Sequence, residues 1–115
     1  MSARKESLTY KSGDYVSVAA SSSQLLVGGT MGGSGTAFFT ISLGKPIASS
    51  ATPTLRSGAT VNIRYNGNTI TTTDVVIQYI HKGTGCLTLR VTPSSTVPNN
   101  TPVGIVSNSL IIDFT

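Results

Sequence analysis

The chain has 115 residues, which is room for one domain. Charged residues make up 10% of it, with a single glutamate, against about 25% in an ordinary soluble domain, and this excludes coiled coils and helical bundles. With 38% hydrophobic residues and a mean hydropathy of +0.16 the chain is too apolar for a disordered tail, and no apolar run approaches the roughly 20 residues of a transmembrane span.

Residues 1–12 are polar and read as an arm, with the domain expected over residues 13–115. The segment 14–20 is rich in β-branched side chains and predicts a short strand, although Tyr15 and Val18 break its alternation. Ser21 to Ser23 read as a turn and Gln24 to Val27 as a brief apolar run. Five glycines among residues 28–35 predict a loop. Over 36–43, Phe39, Ile41 and Leu43 alternate with Phe38, Thr40 and Ser42, the two-residue period of a strand with one core face. Residues 47–56, with Pro53, read as a loop or an edge segment.

Val61, Ile63 and Tyr65 alternate with Thr60, Asn62 and Arg64, and Asn66-Gly67 follows as a strong hairpin signal. Residues 74–82 form an apolar strand, and Gly83-Thr84-Gly85 turns it into Cys86–Val91, where Leu87, Leu89 and Val91 alternate with Cys86, Thr88 and Arg90. A polar loop with three prolines spans 92–102, a short strand follows at 103–106, and a last strand faces Leu110, Ile112 and Phe114 one way. Seven to eight short strands and no substantial helix predict an all-β, antiparallel β-sandwich or jelly roll. The strand at 75–80 is apolar on both faces, and Ile111 is apolar on an outward face. Val76 and Ile111 are therefore expected at contacts between subunits.

Chemistry has little to work with. One cysteine, Cys86, excludes an intrachain disulfide and a cysteine-based zinc site. Arg4, Lys5 and Lys11 lie near the N-terminus and the other cations are scattered, so the net charge of +4 makes no basic face interleaved with aromatics, and no nucleic-acid partner is expected. Residues 1–11 hold no apolar core of a signal peptide. His81 is the only histidine, no Gly-x-Ser-x-Gly elbow exists, and Glu6, Asp14, Asp74 and Asp113 form no evident catalytic pair. Residues 28–35 lack the Gly-Lys-Ser/Thr ending of a phosphate loop. No enzyme, metal site, cofactor or membrane insertion is expected. Recognition is. Sugars are held by flat aromatic faces and forked polar groups, and Arg64, Tyr65, Asn66, Asn68, Tyr79, His81 and Arg90 are the candidates, at strand ends or loops.

The runs Phe-Phe-Thr-Ile-Ser-Leu-Gly-Lys-Pro-Ile (38–47), Val-Asn-Ile-Arg-Tyr-Asn-Gly (61–67), Asn-Asn-Thr-Pro-Val-Gly-Ile-Val (99–106) and Leu-Ile-Ile-Asp-Phe-Thr (110–115) resemble the C-terminal head domains of phage and prophage minor structural proteins, the tips of tail-fibre or baseplate receptor-binding proteins. The resemblance spans roughly residues 13–115 and carries no catalytic residue with it. It implies a homotrimeric β-sandwich head on the virion, extracellular on release. It also implies binding to a host cell-surface polysaccharide or a teichoic-acid-like polymer. Residues 1–12 show neither a collagen-like repeat nor a coiled-coil neck, so the chain is expected to be a piece of a longer fibre or a small separate protein. A non-catalytic carbohydrate-binding module and a ligand-free structural virion domain are the competing expectations.

Overall fold

The computed structural model describes residues 8–18, 21–25, 35–98 and 100–115. Within these the chain is all-β, with strands β1 (Tyr15–Ser17), β2 (Ser21–Leu25), β3 (Ala37–Ser42), β4 (Pro53–Leu55), β5 (Thr60–Tyr65), β6 (Asn68–Thr72), β7 (Val75–His81), β8 (Cys86–Val91), β9 (Pro102–Ser109) and β10 (Ile111–Phe114). They form three antiparallel sheets in the orders β1–β10–β4, β2–β9–β5–β6 and β3–β8–β7. The inward side chains of all three feed one apolar core, a sandwich-like arrangement in which a third short sheet joins the two expected.

The two-residue period decides which side chains enter that core. Phe39, Ile41, Leu87, Leu89, Val91, Val61, Ile63, Ile105, Ile112 and Phe114 are all buried, while their strand neighbours face out. Each large apolar side chain removed from water contributes about 1.5–3 kcal/mol. Tyr10, inside the segment expected to be a polar arm, also joins the core. Its ring stacks on Phe114 at 4.5 Å, its hydroxyl donates to the Leu43 carbonyl at 2.6 Å, and its backbone bonds Pro46 and Ala48. Lys45 lies over the same ring at 4.7 Å.

The β5–β6 hairpin closes on Asn66 and Gly67, both at positive φ (47° and 78°), the two-residue turn whose twist matches the strands it joins. One expectation shifts and one resolves to its edge-strand alternative. Ser21–Leu25, read as a turn and a brief apolar run, is strand β2, because its backbone pairs with β9 from Val106 to Pro102. The loop or edge segment 47–56 contains β4, an edge strand that begins at Pro53, where the missing N–H costs no ladder bond. The expected glycine-rich loop lies outside the described residues apart from Gly35. No described helix is long and apolar enough to cross a membrane.

Candidate functional site

The sheet β3–β8–β7 presents an outward face whose composition follows from register. Phe38, Arg90 and Val76 lie across from one another, then Thr40, Thr88 and Tyr79, then Ser42, Cys86 and His81. Simple alternation along β7 would put Val75, Ile77, Tyr79 and His81 on one side. An extra residue, Gln78, interrupts it: Ile77 pairs with Leu89 and Tyr79 with the very next residue, Thr88. This bulge turns Tyr79 and His81 outward, beside Arg90, and leaves Ile77 packed against the core.

Three anchors hold the face in place. The β7–β8 turn, Lys82–Gly85, docks on the segment after β3: Leu43 N–H donates to the Gly85 carbonyl, Ile47 N–H to the Lys82 carbonyl, and Lys82 Nζ to the Ser49 carbonyl, at 2.8–2.9 Å. Gly85 has φ +73°, and a Cβ there would run into the Lys45 carbonyl, so this approach requires glycine. At the other end Thr72 is buried, donates to the Thr92 carbonyl at 2.7 Å and accepts from the Asp74 N–H at 3.0 Å. That pins the two-residue link from β6 into β7. In the middle, the Thr40 and Thr88 hydroxyls meet at 3.3 Å.

On this rigid floor Tyr79 is 58% exposed, and His81 and Arg90 are exposed as well. None of the three side chains has a hydrogen bond or ion pair among the described residues. Phe38 and Val76, on either side of Arg90, are half-buried. The result is a shallow surface with one exposed aromatic ring, one fork of N–H donors, an imidazole and a row of hydroxyls. Such a surface can stack on a sugar ring and bond its hydroxyls.

The seven expected ligand-binding residues do not converge. Tyr79, His81 and Arg90 share the face just described. Arg64 is exposed on the outer face of β2–β9–β5–β6, between Gly104 and Thr69. Tyr65 points inward, half-buried against the core, while Asn66 and Asn68 are exposed at the hairpin turn, at the far end of β6 from β7. Phe38, Thr40 and Thr88 belong with Tyr79 and were visible only as outward positions of separate alternating runs. The expected interface residues lie apart too. Val76 is on the Tyr79 face, and Ile111 is on the outer face of β1–β10–β4; each is half-buried within its own chain. Among the described residues, no three His, Cys, Asp or Glu side chains gather as a metal site.

The outer face of β1–β10–β4 is also polar and aromatic, but it is satisfied internally. Arg56 Nε and Nη2 donate to Asp113 Oδ2 and Oδ1 at 3.0 and 2.6 Å. The same guanidinium sits 5.1 Å from the centre of the Tyr15 ring. The hydrogen bond from Arg56 holds the Asp113 carboxyl below the usual carboxylate range and raises the guanidinium in return. Compared with known proteins, the chain matches no family model, no curated protein and no solved structure.

Proposed function

We propose that the chain is a non-catalytic receptor-binding domain of the phage tail-fibre tip type, which binds a host cell-surface saccharide on the outer face of β3–β8–β7. The observation that carries this reading is Tyr79: an exposed ring on the sheet face, flanked by the bonded Thr40–Thr88 hydroxyls and by His81 and Arg90, whose side chains have no partner among the described residues. An exposed tyrosine presents a flat apolar face with a polar tip, which suits the apolar face of a sugar and its hydroxyls. The resemblance to fibre tips supplies the virion setting and the homotrimer. Of the two residues expected at subunit contacts, Ile111 lies on the outer face of β1–β10–β4, away from the proposed saccharide face, and is the one compatible with both roles.

Two measurements test this. A glycan array probed with the whole chain is expected to show saturable binding to a saccharide, lost in Tyr79→Ala. Light scattering is expected to give three times 11.9 kDa. Absence of binding to every saccharide would leave a structural virion domain; binding by a monomer would leave a carbohydrate-binding module.

A further inference from the structure

We infer that the ligand of the β3–β8–β7 face carries an anionic oxygen group, a carboxylate or a phosphate, held by Arg90 while Tyr79 stacks on the adjoining sugar ring; this rests on the saccharide reading above. The nine outward side chains of the face include Arg90 and His81 and no acid. One carboxylate, Asp74, continues the same face opposite Thr92, as near to Arg90 in register as Tyr79 is, and Arg90 makes no ion pair with it. The three described arginines differ in this respect. Arg56 is spent on Asp113 and Tyr15. Arg64 is exposed on another sheet beside Gly104 and Thr69, with the ring of Tyr65 turned inward. Arg90 alone among them joins a free guanidinium to an exposed aromatic ring.

Its setting strengthens an anion contact. Phe38 and Val76 stand directly across from Arg90 on the two neighbouring strands, and a bound ligand would cover the guanidinium against these apolar walls, where charge-assisted bonds are less screened. The planar fork matches carboxylate and phosphate oxygens two at a time. Tyr79 pairs with Thr88, two residues from Arg90 on the same face, so the two side chains are diagonal neighbours about 7–8 Å apart at their roots. One sugar on the ring therefore places its own acidic group, or that of the next unit, at the guanidinium.

The test measures binding of the full chain to polygalacturonate, to a galactosyl-phosphate polymer and to a neutral galactan, at moderate salt, for the native protein and for Arg90→Gln, Arg64→Gln and Tyr79→Ala. The two arginine variants remove the same charge from a net +4, so they separate a site from general attraction of polyanions. The expected result is that one anionic polymer binds best, that Arg90→Gln and Tyr79→Ala each weaken it about tenfold or more, and that Arg64→Gln changes it less than about twofold. The preferred anion tells carboxylate from phosphate. Equal losses in the two arginine variants overturn the inference. So does tight binding of the neutral galactan that Arg90→Gln leaves intact, although the saccharide reading then survives. Binding of none of the polymers overturns the inference, and the glycan array then decides whether the saccharide reading survives.

Discussion

Two tyrosines are well exposed on strands of this domain, Tyr15 at 65% and Tyr79 at 58%, and the regions around them are built on opposite principles. Around Tyr15, Arg56 is clamped by the carboxylate of Asp113 and lies over the ring, so charge and aromatic surface are used up within the chain. Around Tyr79, the guanidinium of Arg90 and the imidazole of His81 are left without partners among the described residues. Composition does not separate the two regions, since each has a tyrosine, an arginine and threonines. The difference is one aspartate across the strand: Asp113 pairs with Tyr15 and reaches Arg56, while Thr88 occupies the matching place beside Tyr79. A surface cluster that satisfies itself favours folding, and one that does not is left free to bind.

The largest effect on this contrast is expected from Gly85→Ala. The substitution puts a side chain at φ +73° and against the Lys45 carbonyl, beneath the Tyr79 face only. The left-handed backbone alone costs about 1–2 kcal/mol, and the clash adds to it, so a thermal melt should show Tm lower by roughly 10 °C or more, with saccharide binding weakened as well. Gly58→Ala, at φ +89° with open space around it, carries the backbone cost without the clash and should leave binding intact. A Gly85→Ala protein as stable as Gly58→Ala would show that the docked turn does not support the face.

Single-ring removal should separate the regions cleanly. Tyr79→Ala is expected to reduce saccharide affinity about tenfold or more with Tm nearly unchanged, and Tyr15→Ala to leave affinity unchanged with a slight fall in Tm. Titration calorimetry reads the first, scanning calorimetry the second. If Tyr15→Ala removed binding, the two faces would have to exchange roles.

The smallest effect is a pH dependence confined to the Tyr15 side. The Asp113 carboxyl is held below its ordinary value of 3.8, mainly by the hydrogen bond from Arg56. A depressed carboxylate stabilises the fold above its unfolded pKa, and that contribution fades as the pH falls through the lower folded value. Melts taken from pH 5 downward should therefore show an acid-induced decrease in Tm starting near pH 4. Asp113→Asn should lack that component. The pair is exposed, so the decrease should also shrink in high salt.

Much of the fold is legible in the chain because burial on one face of a strand writes itself as alternation. Leu87, Leu89 and Val91, Phe39 and Ile41, and Ile112 and Phe114 all stand in such runs and are all buried. Asn66-Gly67 announces its hairpin because few residues accept positive φ twice in succession. Ser21–Leu25 is not legible, since its strand state comes from backbone bonds to β9, some eighty residues later, rather than from its own side chains. Nor is Tyr10, whose burial depends on Phe114 and Leu43 arriving beside it. Of the candidate site, Tyr79, His81 and Arg90 are recognisable as residue types suited to sugars, but Arg64, Tyr65, Asn66 and Asn68 look equally suited until the sheets are known.

The sequence by itself determined that this is an all-β domain, which side of most strands faces the core, and where the two tight hairpins turn. Only the tertiary structure decided that β3 lies beside β8, that Gln78 reverses the faces of β7, and that Tyr79 meets Arg90 while Arg64 stands on another sheet. The physical reason is that inward and outward are set by hydrophobicity, a property each residue carries with it. Strand order and register are set by backbone hydrogen bonds between distant segments, which depend little on which side chains they bring together.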